Sequence, residues 1–281
     1  MTQLRSAYSY LDLKYTARLL SLDVQWESIR WKNPPAKPNQ MYQPTTIEQV
    51  ANSVTHGLCI LPSVFATWVL TSKSTTSTQF WAALIYGSAL IALFSVSTCF
   101  HAVCLCNCDK LKPWLHRGDR AMIYLFIAAS YFPWLTLLPY HDVANPTGSS
   151  VISFSSNSTP DYFPWLWDGL GLDPWLIYDV KWAVWLMAAL GILYQQLFHE
   201  KYKWLETLLY IAIGVLPALP FVQQDKVQGL WELKLGGACY LVGVVFFKAD
   251  GRVPLAHAIW HLHVAMGAAL HYYAVLTHLI T

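Results

Sequence analysis

Long apolar segments follow one another along this chain with short polar stretches between them, and this pattern leaves little choice of fold. Of 281 residues, 55% are hydrophobic and 12% are charged, whereas soluble domains average about 25% charged residues. A helix needs about 20 apolar residues to cross a bilayer. Seven such segments can be drawn, at residues 47–71, 80–104, 120–140, 178–198, 205–222, 230–248 and 255–279. The sequence predicts an all-α integral membrane protein, with a seven-transmembrane helix bundle at residues 41–281 after an N-terminal tail at residues 1–40.

The lysine and arginine residues predict the orientation of the bundle, because they accumulate in cytosolic loops. Only four of the 18 fall on the face opposite the N-terminal tail, namely Lys73, Lys181, Lys226 and Lys234. The longest loop of that face, about residues 141–177, has no lysine or arginine and contains a glycosylation sequon at Asn157. The sequence thus predicts a cytosolic N-terminus and a C-terminus outside the cell or in a lumen. The formal net charge of +2 says little about a partner, and no nucleic-acid partner is expected.

Five polar residues from three distant parts of the chain converge on the predicted cytosolic face: Ser97, His101, Asp119, His257 and His261. His257 and His261 are four residues apart in a helical segment, so both imidazoles project from one side of the helix. His101 supplies a third nitrogen from another helix. Three histidines with a fourth position open form a typical catalytic zinc shell. These three histidines are therefore the predicted zinc ligands.

Ser97 and Asp119 each have two interpretations. Ser97 lies one turn before His101, where its hydroxyl either bonds a backbone carbonyl or polarises water or a substrate carbonyl at the metal. Asp119 is either a loop acid paired with Arg117 or Arg120, or the group that accepts a proton from water at the metal. In the second interpretation, Ser97 and Asp119 are the predicted catalytic residues.

A second polar set opens the first predicted span: Glu48, Asn52 and His56, spaced four residues apart on one stripe. These side chains either form a polar packing seam in the bundle or support the metal site and line a path for substrate. Glu48 could also stabilise the start of the helix, with Asn52 bonding a neighbouring helix. The other histidines of the last span are expected to be packing residues, namely His263, His271 and His278.

Cys104, Cys106 and Cys108 form a C-x-C-x-C run at the cytosolic end of the second span. Zinc sites more often use C-x2-C spacing, so a second metal site is not expected here. Cysteines beside a membrane and close to lysines suit S-palmitoylation, and free cytosolic thiols are the alternative. The six cysteines do not indicate a disulfide framework, since none lies in the predicted outer loops.

Four motifs give the sequence a resemblance to the progestin and adipoQ receptor family, which includes the hemolysin III proteins. They are Glu48-Gln-Val-Ala-Asn52-Ser-Val-Thr-His56-Gly57, Ser97-Thr-Cys-Phe-His101, Gly118-Asp119-Arg120 and His257-Ala-Ile-Trp-His261. Stretches such as Tyr124-Leu-Phe-Ile-Ala-Ala-Ser130-Tyr and His199-Glu-Lys-Tyr-Lys203 resemble its monocyte to macrophage differentiation factor branch. The similarity covers about residues 40–280, and the first 40 residues and the loop near 141–177 depart from it.

The resemblance implies seven helices, a cytosolic N-terminus and a zinc ion held by His101, His257 and His261, with Ser97 and Asp119 as its serine and aspartate partners. Adiponectin receptors, more distant members of the family, are linked to ceramidase activity, and alkaline ceramidases share the histidine pattern. What is known of the family also implies Golgi or late endosomal and lysosomal membranes and a signalling or scaffolding role.

Two classes of function follow. The first is a receptor-like signalling protein that is also a zinc-dependent intramembrane hydrolase, acting on the amide or ester bond of a ceramide-like or other fatty-acyl membrane lipid. The second is a non-catalytic scaffold or receptor, in which zinc ties two helices together and the partners are membrane signalling proteins. A structural site needs neither Ser97 nor Asp119, which favours chemistry, whereas a three-ligand shell does not by itself demonstrate turnover.

Overall fold

The computed structural model describes residues 30–106, 110–137, 180–219 and 229–280. Seven α-helices lie in these ranges: α1 (Thr46–Lys73), α2 (Ser77–Leu105), α3 (Lys112–Leu137), α4 (Val180–Leu197), α5 (Lys203–Val215), α6 (Leu230–Phe247) and α7 (Ala256–His278). The same ranges contain no β-strand. Lys32–Thr281 forms one compact unit, while the other unit, Met1–Trp31, is described only at its last two residues. The domain boundary at residue 40 stays a prediction.

Four of these helices, α1, α2, α3 and α6, are long and apolar enough to cross a membrane. The prediction of an all-helical membrane protein is therefore confirmed. α5 has only 13 residues, and α7 carries five histidines, which lower its hydropathy. The count of seven membrane spans and the cytosolic N-terminus stay predictions.

The first two helices begin where the sequence provides capping residues. The Thr45 hydroxyl accepts a hydrogen bond from the Glu48 backbone N–H, and the Glu48 carboxylate accepts one from the Thr45 N–H at 2.7 Å. Thr76 and Gln79 make the same reciprocal arrangement at the start of α2. Each pair satisfies two backbone N–H groups that lack partners within the helix. The cap on α1 fixes the positions of the polar residues in its first turns.

α3 begins earlier than the hydropathy predicts. It starts at Lys112 instead of residue 120, because its first turns are anchored by protein contacts as well as by the bilayer. One of these joins Arg117 to the carbonyl oxygen of Gln196 at the end of α4, at 2.7 Å. Asp119 therefore lies within α3 and not in front of it.

α5 ends earlier than predicted. The apolar run predicts a span up to residue 222, but the α-helix ends at Val215 and continues as a 3-10 turn, Leu216–Ala218. Pro217 explains the change, because proline has no N–H to donate and its ring clashes with the carbonyl four residues earlier in an α-helix. Residues 220–222 lie outside the described ranges.

The helices pack largely in chain order. α1 lies on α2, α2 on α3 and α3 on α4, while α7 packs against α1 and α6 lies on α7. Contacts between α5 and α6 are sparse. The largest core cluster joins α2, α3 and α7, with members that include Tyr86, Leu90, Phe94, Phe126 and Val264. This packing holds the C-terminal end of α2 beside the N-terminal end of α7.

Exposed tryptophans mark the two ends of the bundle. Trp68, Trp81 and Trp231 lie towards the C-terminal end of α1 and at the N-terminal ends of α2 and α6, whereas Trp114 and Trp204 lie at the N-terminal ends of α3 and α5. Tryptophan settles at membrane–water interfaces. With a cytosolic N-terminus, the first three mark the outer interface and the last two mark the cytosolic one.

Candidate metal centre

Three histidines meet where the end of α2 faces the start of α7. His101 and His261 are buried, and His257 is partly buried. One ring nitrogen from each lies within 4.8 Å of the other two. The ring centroids are 4.7 Å apart for His257 and His261, and 5.2–5.3 Å from each of these to His101. The spacing of four residues in α7 thus places two imidazoles on the side that faces α2.

Each histidine is oriented through its Nδ1 atom. The three Nδ1 atoms face oxygen acceptors: Gln49 Oε1 at 2.7 Å from His101, Asp250 Oδ2 at 3.4 Å from His257, and the Asn52 carbonyl oxygen at 3.2 Å from His261. These partners favour the tautomer with the proton on Nδ1, which leaves Nε2 free to bind a metal. His101 Nε2 is buried and has no hydrogen-bond partner in the described part of the chain. The donor set therefore fits a metal ion.

The loop before α7 sets the position of His257. Two of its residues have a left-handed backbone, Gly251 with φ 75° and Leu255 with φ 57°. Leu255 is the N-cap of α7, and Asp250 lies directly before the glycine. A Cβ atom on Gly251 would lie 2.6 Å from the backbone of Pro35, so only glycine fits there. The turn therefore presents Asp250 to His257 while packing on the segment that precedes α1.

Ser97 and Asp119 line the same cavity as the three histidines. Asp119 is within reach of the Ser97 side chain, and the charges of His257 and Arg120 act on it. Ser97 Oγ is buried and makes no hydrogen bond of good geometry to the described residues. Both groups are thus placed beside the histidines and remain available to a molecule in the cavity.

The arginines next to Asp119 have other partners. Arg117 bonds Gln196, and Arg120 forms ion pairs with Glu200 and Glu206, each at 2.9 Å. Asp119 thus lies within α3 and not in a loop, and it interacts with Arg120 through their charges without a direct ion pair among the described residues.

The three residues Glu48, Asn52 and His56 have two different roles in the structure: one caps α1, and the other two contact the histidines. Glu48 caps α1 and accepts a hydrogen bond from Tyr42, which places it outside the metal centre. The Asn52 carbonyl orients His261, and its amide nitrogen lies 3.5 Å from His101 Nδ1. His56 stacks on His261 with centroids 3.6 Å apart. The structure thus brings Asn52 and His56 to the histidines, but not Glu48.

Three residues that contact the histidines are absent from the sequence-based set: Gln49, Asp250 and Thr55, whose hydroxyl oxygen lies 3.1 Å from His261 Nδ1. Gln49, the partner of His101, follows directly after Glu48, and the four-residue spacing gives no reason to choose one over the other. Asp250 lies in a short loop where periodicity carries no information. An acid shortly before the first histidine of α7 is the only sequence signal for it.

The cavity has a volume of about 690 Å³, within the usual range for small-molecule sites, about 300–1,000 Å³. The polar residues cluster at the end formed by α2 and α7. The remaining wall is largely apolar and runs along α3, α5 and α6, with lining residues that include Ile127, Trp134, Ile211, Leu230 and Leu241. The cavity is therefore suited to a molecule with one polar end and an apolar chain.

The segment before α1 forms part of the wall of this cavity. Pro35, Met41 and Tyr42 contribute to its lining. The segment is attached at several points, including a hydrogen bond from Lys32 Nζ to the Arg252 carbonyl at 2.6 Å. Tyr42 donates to the Glu48 carboxylate at 3.0 Å, and burial raises the pKa of Tyr42 to about 12. The phenol therefore stays protonated as a donor at neutral pH.

A family model described as Haemolysin-III related matches residues 45–272. The chain belongs to this family. All three histidines, Ser97 and Asp119 lie within the matched residues.

Relatives of this haemolysin-III-related protein align along most of its length. Monocyte to macrophage differentiation factor from Homo sapiens is 39% identical over 248 residues, which are 88% of this chain and 90% of the relative. Hemolysin-3 from Bacillus cereus is 27% identical over 239 residues, 83% of this chain and 92% of the relative. These similarities confirm the resemblance to the progestin and adipoQ receptor family and to its differentiation factor branch.

A second cluster in this haemolysin-III-related protein joins α3 to the turn between α4 and α5. Ligand atoms of His116, His199 and Glu200 lie within 4.8 Å of one another. His199 Nε2 and His116 Nδ1 are 3.0 Å apart, and Glu200 is paired with both Arg120 and Lys203. Burial lowers the pKa of His199 to about 4, so it is neutral at pH 7. With its carboxylate already held by two cations, this cluster is a structural network.

Cys104 and Cys106 lie at the C-terminal end of α2, as predicted, and Cys106 is exposed. Cys108 lies outside the described residues, as do the loop at residues 141–177 and its sequon at Asn157. Palmitoylation and glycosylation stay predictions. His263, His271 and His278 each contact a neighbouring group of the bundle: the Ile259 carbonyl, the Leu233 carbonyl and Glu232.

Proposed function

We propose that this receptor-like membrane protein binds one zinc ion through His101, His257 and His261 and hydrolyses the amide or ester bond of a membrane lipid. One observation carries the proposal: three histidines with engaged Nδ1 atoms share a lipid-sized cavity with Asp119 and Ser97. When bound, zinc supplies Lewis-acid activation of water and of a carbonyl group. We place the protein in Golgi or late endosomal and lysosomal membranes, where the lipid product would act as a signal.

Asp119 would act as the general base. Its carboxylate lies on the cavity wall near His257, and the charge of Arg120 also acts on it, but no direct ion pair with Arg117 or Arg120 is formed among the described residues. A base within hydrogen-bond reach of the attacking water accepts its proton as the new bond forms and then returns a proton to the leaving group. Asp250, another carboxylate that lines the cavity, is already engaged by His257 Nδ1, which leaves Asp119 for this role.

Ser97 would stabilise the negative charge that develops on the carbonyl oxygen. Its hydroxyl is buried and has no good hydrogen-bond partner among the described residues, so it is available to donate. A donor that is already in place costs no reorganisation during the reaction. The apolar wall along α3, α5 and α6 would hold the acyl chain and orient the carbonyl towards these groups.

A scaffold with a structural zinc is the second candidate, and one observation favours it. Through the contacts of His101 with Gln49 and of His261 with Asn52, the histidines already join α1, α2 and α7. A metal ion at this junction would stiffen all three helices whether or not any substrate entered. In this case the partners would be membrane signalling proteins.

Comparing Asp119→Asn with His261→Ala separates the two candidates. Both variants and the wild type would be purified with zinc and given a panel of lipid amides and esters. A hydrolase predicts that Asp119→Asn keeps its zinc and loses turnover by about 10²–10⁴-fold, the usual contribution of a general base. His261→Ala should lose both zinc and turnover. Full cellular activity of Asp119→Asn at matched expression, with loss in His261→Ala, rejects the hydrolase and leaves zinc as a structural tie.

A further inference from the structure

His56 is a buried histidine beside the metal centre for which neither proposed role of the site has a use. Its ring lies parallel to that of His261, with centroids 3.6 Å apart and 12° between the planes, and edge-on to Phe94 at 5.0 Å. Only 3% of its surface is exposed. Both ring nitrogens are buried without a hydrogen bond of good geometry to any described residue. His56 also lines the cavity.

Packing alone does not explain a histidine at this position. Buried polar atoms in native proteins are nearly always paired, because an unpaired one is destabilising. A phenylalanine would stack on His261 and Phe94 without that cost. The imidazole is therefore suited to a partner that enters the cavity.

His56 cannot be a further ligand of the same metal ion. A histidine binds a metal through a lone pair in the plane of its ring. The two rings are stacked, so an ion in the plane of His261 would lie roughly one stacking distance, 3.6 Å, out of the plane of His56. A group bound by His56 in the cavity would therefore lie beside the metal position and not on it.

The surroundings of the ring indicate that His56 would accept, and not donate, a hydrogen bond in the cavity. One ring nitrogen approaches the carbonyl oxygen of His261, although not at hydrogen-bond geometry. That approach favours the tautomer with the proton on this nitrogen. The other nitrogen then carries a lone pair and can accept a hydrogen bond.

We propose that His56 accepts a hydrogen bond from the N–H of a lipid amide whose carbonyl group faces the metal centre, and that it makes the site selective for amides over esters. This inference rests on the proposed function and names its substrate class. The amide nitrogen is bonded directly to the carbonyl carbon. When the carbonyl group faces the metal, the amide N–H therefore lies beside the metal, where His56 can accept its hydrogen bond. An ester has an oxygen there, which cannot donate and would face the lone pair of His56. Sites built to bond an N–H group reject analogues that lack it.

Binding of two matched lipids tests the assignment. The probes are an N-acyl and an O-acyl lipid with the same acyl chain and headgroup, competed against a fluorescent fatty-acyl reporter on the full chain in nanodiscs. All proteins carry Asp119→Asn, so that turnover is slow during the measurement. The amide should bind about tenfold more tightly than the ester, as one hydrogen bond allows. His56→Phe should remove this preference by weakening the amide alone, with zinc content unchanged.

Two further variants keep the result interpretable. His56→Asn offers an acceptor oxygen and should restore part of the preference, and it replaces His56→Phe if that variant does not fold. His271→Phe is the matched control, because His271 lines the same cavity but bonds the Leu233 carbonyl. It should leave the ratio of amide to ester affinity unchanged.

Three results overturn the assignment: no amide preference in the parent protein, an equal loss for both lipids in His56→Phe, or no loss at all. An amide preference that depends on His56 in a protein that never hydrolyses either lipid would retain the assignment and reject the hydrolase. The two proposals can therefore fail separately.

Discussion

His101 is held in position because Gln49 accepts a hydrogen bond from its Nδ1 atom at 2.7 Å. The preceding residue, Glu48, points elsewhere and caps α1. Successive residues on a helix are rotated by about 100°, so these neighbours serve separate purposes. One supports the metal centre and the other supports the fold.

Replacing these two neighbours should separate zinc affinity from stability. Gln49→Leu leaves His101 Nδ1 without its acceptor, and we expect zinc affinity to fall by about 10–100-fold, as for other partners of metal ligands. Glu48→Ala should lower the melting temperature of the zinc-free protein and leave zinc affinity close to that of the wild type. The measurements are a competition titration with a zinc chelator and a thermal unfolding curve. Equal zinc affinity in Gln49→Leu and the wild type would show that this contact does not support the metal.

At the residue scale, the sequence supplies the ligands more readily than their supports. The histidines of α7 could be predicted because a spacing of four puts them on one helix face. Gln49 and Asp250 could not, because their roles depend on how α1 and the loop before α7 pack against the ligands. The polar contacts of Asp119 likewise depend on where Arg117 and Arg120 find partners, on α4 and beyond it.

At the scale of elements, α6 and α7 pack closely at Gly236, whereas the adjacent Gly237 faces open space. A Cβ atom on Gly236 would lie 2.4 Å from the His271 ring, which itself bonds the Leu233 carbonyl. A Cβ atom on Gly237 would meet nothing within 4 Å. Small residues at such positions let membrane helices approach each other.

These glycines form a matched pair for testing that contact. Gly236→Ala must displace His271 and should destabilise the protein by about 1–3 kcal/mol, the usual cost of overpacking. Gly237→Ala changes the helix propensity in the same way and should be neutral or slightly stabilising. Thermal unfolding in detergent compares the two variants directly. Equal destabilisation of both variants would show that propensity, and not the contact with His271, sets the stability.

The helices themselves could be predicted from hydropathy, since long apolar runs in a bilayer form helices. Their ends could not be predicted equally well. α3 begins at Lys112 because protein contacts anchor its polar first turns, and α5 ends at Val215 because Pro217 follows. Hydropathy reports how well a segment suits a lipid environment. The start of α3 depends instead on contacts with neighbouring helices, and the end of α5 depends on Pro217.

At the scale of the whole molecule, the predicted orientation of the bundle would place the metal centre at the cytosolic face. The distribution of lysine and arginine predicts that orientation, and the exposed tryptophans mark the two interfaces. A substrate would therefore enter from the membrane or the cytosol, and water would reach Asp119 from the cytosolic side.

Reporter tags test this orientation. A tag at the N-terminus should be protected from an impermeant reagent in intact cells, and one after Thr281 should be exposed or lumenal. Asn157→Gln should remove any endoglycosidase-sensitive mass shift, because the sequence predicts that the sequon lies in an outer loop. Both termini on one side of the membrane would contradict the odd number of spans.

The metal content of the purified protein tests the central claim most directly. The wild type should hold about one zinc ion, with X-ray absorption giving nitrogen ligands at about 2.0–2.1 Å. His257→Ala should abolish binding, because two histidines do not complete the shell. His263→Ala is the matched control, since His263 bonds the Ile259 carbonyl of its own helix and should not affect the metal. One zinc in the wild type and in His263→Ala, with none in His257→Ala, is the predicted result; unchanged zinc in His257→Ala would contradict the assignment.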